Sequence, residues 1–550
     1  MEEQELESII QELIDEKRIF LNNKKKYEVV KEEYLIGVLE KTSKDACYVI
    51  ADDKKIMISS DALYTALKND LVVVEKNENN YGTIKGILKR QNNKLVCEVK
   101  EHKNKLILVP FNGNCEIYLI TPKELLKDYI IGDRVYITLN NEINEDNVIV
   151  VKEITKIGHF NDEFNDELSI AISRGFDINF SEEAMKEAYA LPKTVLEHEK
   201  IGRLDLTNEI IFTIDSVKTK DMDDAVSIKK LANGNYELGV HIADVAHYIK
   251  PGMQLFKEAM ERKTSVYIGE VVIPMIPSII SNGICSLNEG VDRLTKSYIV
   301  EITPKGKIVN YRRQNSVINS KKKMTYEELN ELFNGNDVDE SYLDFIEPLT
   351  YMRELSNIMT IKKRRKGHID FGSNDIDVIK DLFENDRILE FDNKVCGESE
   401  KIVENFMTST NEIVATDFYW RYLPFIYRTH DVPEEMRLGD TIEQIKELGF
   451  GKQLIGLQNS YGVKAIQSIL EHYRETPVYS VVSNLLLRSM SKAKYSTENI
   501  GHFALASDAY CHFTSPIRKF PDLMDHTLID IFDNNDSIHI DLEKLNKELT

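Results

Sequence analysis

Apolar residues recur at helical spacing at the start of the chain, then switch to the shorter rhythm of strands. Leu6, Ile9, Ile10, Leu13 and Ile14 predict a short amphipathic helix, and Ile19 to Val30, with Lys24-Lys25-Lys26 at a turn, predicts a hairpin. A helix followed by a hairpin over 1–32 suits a partial winged helix. Short apolar runs broken by polar turns come next: Tyr34-Leu-Ile-Gly-Val-Leu, Cys47-Tyr-Val-Ile, Lys55-Ile-Met-Ile and Leu71-Val-Val-Val. A second set contains Leu95-Val-Cys-Glu-Val, Leu106-Ile-Leu-Val, Cys115-Glu-Ile-Tyr-Leu-Ile and Arg134-Val-Tyr-Ile-Thr-Leu. Asn69-Asp-Leu-Val-Val-Val and Gly132-Asp-Arg-Val-Tyr-Ile hold matching places near the end of each set. The repeat predicts two small barrels of the oligonucleotide-binding (OB) kind, over 33–78 and 79–157; one irregular β-domain is the alternative.

Residues 158–200 read as a polar connection with helical stretches. From 201 to 535 strands and helices mix in a large α/β body, with helices expected at Asn405 to Phe418 and Thr441 to Leu448. Gly449-Phe-Gly451 reads as a helix C-cap rather than a phosphate cradle. The run over 536–550, from His539-Ile-Asp-Leu-Glu-Lys-Leu onward, reads as a helix cut short. The expected fold class is multidomain: two OB-type barrels followed by a large α/β domain.

A length of 550 residues at 42% hydrophobic composition supports several domains with sizeable cores. No apolar run reaches membrane-spanning length, and the N-terminus is acidic rather than signal-like. The six cysteines are far apart and form no C-x-x-C pair, which fits reduced thiols in a cytoplasmic protein. A formal net charge of −22 argues against nucleic-acid binding by a broad basic surface, though not against an enclosed channel with local positive charge. Arg312-Arg313, Lys321 to Lys323 and Lys362 to Lys366 are candidates to line one; a solvated face is the alternative for each. No G-x-x-x-x-G-K-[ST] run and no G-x-S-x-G elbow occurs, so neither a nucleotide cofactor nor a serine elbow is expected.

Chemistry concentrates in one place. Asp215, Asp221, Asp223 and Asp224 fall within ten residues, where one β-branched strand ends and the next begins. Massed carboxylates are costly unless a positive charge sits among them, and only Lys218 and Lys220 are close in sequence. All-oxygen ligands without His or Cys point to Mg²⁺ or Mn²⁺, and a two-metal hydrolytic site for phosphate esters follows. An acidic, water-exposed turn is the bland alternative. A calcium loop counted from Asp221 fails, because Val226 and Ala232 stand where its Gly and Glu belong.

Four further stretches follow in order: Tyr236-Glu-Leu-Gly-Val-His-Ile-Ala-Asp-Val-Ala-His-Tyr-Ile-Lys-Pro-Gly, Thr264-Ser-Val-Tyr-Ile, Val272-Ile-Pro-Met-Ile-Pro and Ser281-Asn-Gly-Ile-Cys-Ser-Leu-Asn. Phe513-Thr-Ser-Pro-Ile-Arg-Lys-Phe-Pro-Asp-Leu stands near the end. With the aspartates, this series resembles the catalytic domain of the ribonuclease II/ribonuclease R family, on the ribonuclease R side. The barrels then resemble the family's cold-shock domains. The resemblance implies a processive 3′→5′ exoribonuclease that hydrolyses single-stranded RNA to nucleoside 5′-monophosphates. By the same match, Asp215, Asp221 and Asp224 look like metal ligands, and Asp223 resembles the aspartate most critical for chemistry, itself counted in the metal set. Arg518 matches a phosphate-clamping arginine. Tyr267 and Phe371 match aromatics that stack on the 3′-terminal base, while Tyr326 and Glu404 resemble residues that contact the terminal nucleotides. His241, Asp244 and His247 lack zinc-like spacing and are expected to be buried structural polars.

The chain departs from the family pattern in two ways. It is expected to stop before the basic RNA-binding S1 domain with which the family usually ends, and Thr527 follows His526 where the family leads us to expect Arg. The working picture is a monomer with RNA as its partner. The rival readings are a catalytically silent RNA-binding protein of the same fold, a two-metal deoxyribonuclease, and a cold-shock-like RNA chaperone.

Overall fold

The computed structural model describes residues 3–22, 24, 26–41, 46–51, 54–77, 80–111, 118–141, 148–372, 375–381, 387–394, 396–447 and 462–534. The chain divides into two compact units, Met1–Asn179 with Tyr267–Ile273, and Phe180–Val266 with Pro274–Thr550.

The first unit opens with α1 (Glu3–Asp15) and a hairpin of β1 (Ile19–Leu21) and β2 (Tyr27–Val29), in register Ile19↔Val29. Asn22 closes the turn, its Oδ1 accepting from the amides of Lys24 and Lys26. Next come β3 (Tyr34–Lys41), β4 (Cys47–Ala51), β5 (Lys54–Ile58), β6 (Leu71–Lys76) and β7 (Tyr81–Lys89). They close into a barrel in the order β3-β4-β5-β7-β6, with β5 and β7 parallel. The boundary expected after residue 78 therefore falls inside the barrel. The polar stretch there looks like a linker in sequence but joins two antiparallel strands of the barrel, with the Asn77 amide donating to the Tyr81 carbonyl at 2.7 Å.

The second set comprises β8 (Lys94–His102), β9 (Lys105–Pro110), β10 (Tyr118–Ile120), β11 (Asp133–Thr138), β12 (Val148–Val150) and β13 (Thr155–His159). Among the described residues it forms a sheet in the order β13-β11-β8-β9 and a parallel pair β10-β12. Both contribute to one core, in which Cys97, Val99, Val135 and Ile137 are buried and Leu119 and Ile149 pack against them. The repeat seen in sequence has a physical counterpart. Asn69 and Gly132 both take left-handed backbone (φ +71° and +93°). The buried carboxylates of Asp70 and Asp133 each accept from the amide three residues back, of Leu67 at 2.9 Å and Ile130 at 3.0 Å. The same turn thus launches β6 and β11. α2 (Asn165–Ser173) is tied to β8 through Asn92, whose amide donates to the carbonyls of Ile172 and Ser173. The expected connection over 158–200 is accordingly divided between the two units.

The second unit begins with α3 (Glu182–Ala190), β14 (Leu204–Leu206), β15 (Thr213–Asp215), β16 (Asp224–Lys230) and β17 (Tyr236–Ala243). α4 (Val245–Tyr248) and α5 (Gln254–Arg262) follow, then β18 (Val266–Ile268) and β19 (Val271–Ile273), then β20 (Asp292–Ile302), β21 (Ile308–Asn319) and β22 (Lys323–Thr325). The main sheet runs β14-β21-β20-β17-β16. β17 and β20 are buried along almost their whole length, so side chains on both faces are covered. α6 (Tyr326–Asn334), α7 (Ile346–Lys366) and α8 (Glu398–Trp420) lie around it, and α12 (Phe520–Asn534) ends the described chain after α9 (Glu435–Ile445), α10 (Val463–Tyr473) and α11 (Tyr479–Ser489). α9 to α11 keep an apolar cluster of their own, with Leu438, Ile442, Ile466, Ile469, Val482 and Leu486. The helix expected at 405–418 is longer at both ends. That expected at 441–448 starts six residues earlier and ends at Ile445. Gly449-Phe-Gly451 and the predicted last helix over 536–550 lie outside the described residues. Among the described residues, Cys285, Cys396 and Cys511 form no disulfide.

Candidate active site

The four aspartates are placed by strand ends and by three separate backbone anchors. β15 stops at Asp215, which pairs in parallel register with Thr325 at the end of β22 and so sets Asp215 beside Tyr326 at the start of α6. Lys323 of β22 reaches back to the carbonyls of Thr219 (2.6 Å) and Val217 (3.3 Å), fixing the chain after Asp215. Further along, Ser286 Oγ donates to the Lys220 carbonyl (2.7 Å) and accepts from the Met222 amide (3.1 Å), while the Leu287 amide donates to the Met222 carbonyl (3.1 Å). The Ala243 amide on β17 holds the Asp223 carbonyl at 2.9 Å, and Asp224 opens β16 opposite Ile242.

Asp223 is buried, and both its carboxylate oxygens are engaged. Oδ1 accepts from the Ile517 amide at 2.7 Å, and Oδ2 from Arg518 Nε at 3.2 Å. The donors come from the turn that precedes α12. Asp522 in that helix's first turn accepts from the Ser515 amide at 2.8 Å, and Arg518 Nη2 reaches Ser515 Oγ at 3.2 Å. The carbonyl of Arg518 in turn accepts from the Ser265 amide (2.9 Å) and Thr264 Oγ1 (3.0 Å). The run Thr514-Ser-Pro-Ile-Arg is therefore a rigid turn that presents one amide and one guanidinium to a buried carboxylate.

Burial and mutual repulsion dominate the electrostatics. Burial first, then the charge of Asp223, pushes the Asp215 carboxyl up to about 7; burial and Asp215 do the same to Asp224, also to about 7. Burial holds Asp223 well above the ordinary range even though Arg518 and the Ile517 amide pull the other way. Burial and the negative charge of Asp224 and Asp215 raise the Tyr326 phenol as well, so Tyr326 stays a neutral donor beside the carboxylates. A consequence for stability follows. A carboxyl raised from 3.8 to about 7 contributes stability that is complete below its unfolded value and lost as pH rises through 7. In EDTA, Asp224→Asn should melt increasingly above wild type between about pH 4 and pH 8, with little difference at the acid end. Melting temperatures by circular dichroism check this, and a gap independent of pH would show that Asp224 is not the titrating group.

The donor set fits a hard divalent cation in kind: only carboxylate oxygens, crowded enough to raise one another's pKa, with no imidazole or thiolate among them. It is not a finished cage. Among the described residues no three His, Cys, Asp or Glu side chains are gathered as ion ligands. Asp223 is held instead by Arg518.

The remaining expected site residues lie in varied surroundings. Tyr267 is half exposed on β18 and belongs to the first unit. Phe371 packs against the helical cluster of α9 to α11, where Ser483 Oγ donates to its carbonyl at 2.7 Å. Glu404 on α8 pairs with Lys401 at 2.9 Å and lines a cavity of about 150 Å³ with Lys363, His368, Asp370 and Arg474. The basic runs are largely occupied: Lys321 with the Thr207 carbonyl, Lys322 with Ser341, Lys323 with Thr219, Arg313 with Asp533, Lys362 with the Gly306 carbonyl, and Arg364 with Glu471. His241 and Asp244 are buried polars as expected. His241 bridges Ser227 (3.0 Å) and Ser297 (2.6 Å), and Asp244 pairs with Arg203 and Lys296. His247, partly exposed, meets Glu199 at 3.0 Å. Ser286, Lys323 and the Ile517 amide are parts of the site that the sequence does not assign to it, Lys323 being expected only as a channel-lining charge. The Ser281–Asn288 and Phe513–Leu523 motifs carried the only signal for the first and last.

A buried carboxylate turn clamped by a distant Arg-bearing turn, on a mostly antiparallel sheet wrapped by helices, defines a class, and residues 203–532 match the model of the RNB domain family. The chain is 41% identical over 414 residues to ribonuclease R 1 of Lactococcus lactis, covering 72% of this chain and 50% of that protein. It is 36% identical over 550 residues to ribonuclease R of Thermotoga maritima, covering 95% of this chain and 74% of the relative. It thus spans between half and three-quarters of the length of these relatives. Its fold matches Mycoplasma genitalium RNase R in complex with ribose-methylated single-stranded RNA at a TM-score of 0.84 and 26% identity, covering 94% of this chain and 82% of the other. The chain belongs to the ribonuclease R family.

Proposed function

We propose that this chain is a hydrolytic, processive 3′→5′ exoribonuclease that degrades single-stranded RNA to nucleoside 5′-monophosphates. The observation that carries the reading is Asp223, a buried carboxylate fixed by the Ile517 amide and Arg518 within a crowded aspartate turn. Asp215, Asp221, Asp223 and Asp224 would hold Mg²⁺ or Mn²⁺, which supplies the Lewis acidity that makes water nucleophilic and neutralises phosphate charge. Arg518, 42% exposed at its side chain and paired with Asp223, is assigned to the phosphate, because a planar guanidinium fork suits two oxygens at once. Tyr326, kept neutral, can donate to the terminal nucleotide. Glu404 is assigned to the same strand's ribose, which would favour RNA over DNA. Tyr267 and Phe371 are assigned to base stacking, an interaction worth about 1–3 kcal/mol per base and indifferent to sequence. The barrel and the second β-sheet are read as cold-shock-type RNA-binding domains. No helix among the described residues is long and apolar enough to cross a membrane. With six widely spaced cysteines and no C-x-x-C pair, the chain is read as a cytoplasmic monomer needing no nucleotide cofactor.

The test is a time course on 5′-labelled single-stranded RNA with Mg²⁺, run beside EDTA and a matching DNA oligomer. Direct conversion of full-length RNA to a short limit product, absent in EDTA and on DNA, is the expected result. RNA binding without cleavage would establish the binding-only reading, and equal degradation of DNA would overturn the choice of substrate.

A further inference from the structure

The atoms on either side of Asp221 are gripped by one hydroxyl. Ser286 Oγ donates to the carbonyl of Lys220, which precedes Asp221, and accepts from the amide of Met222, which follows it. Ser286 is fully buried, and a hydroxyl is the smallest side-chain group able to donate and accept at once. The grip is rigid only if Ser286 is itself fixed, and Arg293 fixes it. The Arg293 side chain is almost fully buried. Its Nε donates to the Ser286 carbonyl at 2.8 Å, Nη2 to the Gly283 carbonyl at 3.0 Å, and Nη1 to its neighbour Asp292's carbonyl at 2.9 Å. A buried guanidinium that serves three backbone carbonyls from the base of β20 is an expensive arrangement, and what it stiffens is the short loop that carries Ser286. Asn288 adds a further tie, to the Asn282 carbonyl at 3.1 Å. The Leu287 amide completes the connection by holding the Met222 carbonyl.

We propose that Ser286, backed by Arg293, is a positioning residue that sets the spacing of Asp221 and Asp223 and thereby the affinity of the aspartate turn for a divalent cation. The inference rests on the reading of that turn as a cation site. Neither residue offers its side chain to the cation; both act through backbone. Residues that orient metal ligands in this indirect way typically change affinity by about 10–100-fold when removed.

The probe is Mn²⁺ alone, with free ion followed by electron paramagnetic resonance during titration of the intact chain, so that no turnover is needed. Ser286→Ala should bind Mn²⁺ about tenfold or more weakly, with RNA affinity in EDTA unchanged. Ser286→Thr, which keeps the hydroxyl, should recover most of the loss. Wild-type Mn²⁺ affinity in a folded Ser286→Ala protein overturns the proposal. If Ser286→Ala does not fold, Arg293→Lys carries the same expectation, because one ammonium cannot serve three carbonyls in that geometry, and unchanged affinity there overturns it equally. Failure of the underlying reading looks different: wild type and Asp223→Asn would then bind Mn²⁺ alike.

Discussion

Asp223→Asn is expected to lower RNA cleavage by at least about a hundredfold, the scale of loss when one charged group of a preorganised site is neutralised, while leaving RNA affinity within a few-fold. The substitution keeps the shape but not the charge. The amide's single oxygen can still accept from the Ile517 N–H or from Arg518, but its NH₂ must then face the other donor. Stability should move the opposite way from activity. Burial holds the Asp223 carboxyl well above its ordinary pKa, so at neutral pH the ionised form works against folding, and its neighbours Asp224 and Asp221 add to the strain. Removing that charge should raise the melting temperature in EDTA, the trade expected where a site is built from groups that repel. Labelled-RNA time courses, filter binding and thermal melts decide the matter together. Parallel loss of cleavage and binding would make the carboxylate a structural group. Retained cleavage would remove Asp223 from the chemistry.

The parts of this site that could be read from sequence are those that declare themselves locally. Four carboxylates in ten residues between β-branched flanks need no partner to be noticed, and Arg518 sits in a run whose Ser-Pro-Ile-Arg order is distinctive. The repeated turn before β6 and β11 was legible because Asn69-Asp70 and Gly132-Asp133 use the same chemistry: a residue tolerant of left-handed backbone, then a short carboxylate that caps the turn. What could not be read is contributed from far along the chain. Ser286 reaches the aspartate turn across 64 residues and the Ile517 amide across 294, and a backbone N–H carries no side-chain signature at all. Charge runs misled for a related reason. Lys321 to Lys323 could line a channel or face solvent on sequence alone, but all three ammonium groups have partners within the fold, brought to them from Thr207, Ser341 and Thr219. The barrel boundary failed at a polar stretch between two paired strands, because linkers and strand connections share a composition.

Asp244→Ala should be among the most destabilising single changes in the second unit, costing about 3–5 kcal/mol, the range for stranding buried charge by deleting its partner. Asp244 is buried and ionised. Burial pushes its pKa up, but Lys296 and Arg203 overcome this and hold it below the usual carboxylate range. Arg203 Nη2 approaches at 2.7 Å and Lys296 Nζ at 3.2 Å, and the Lys296 side chain is completely inaccessible to water. Asp530 also pairs with Lys296, so alanine leaves that lysine one counter-ion instead of two and leaves Arg203, largely covered at its side chain, without its carboxylate. The melting temperature should fall by roughly 10 °C for a domain of this size. The loss should reach the active site, because Asp244 is anchored to the Leu294 carbonyl and its neighbour Ala243 supplies the amide that holds the backbone of Asp223. Replacing Lys296 as well, in an Asp244→Asn/Lys296→Met protein, should recover part of the stability, since removing both charges is far cheaper than removing one. A melting temperature within about 2 °C of wild type for Asp244→Ala would mean that water or Asp530 already compensates these cations, and that the Arg203–Asp244–Lys296 cluster contributes little to holding the aspartate turn in place.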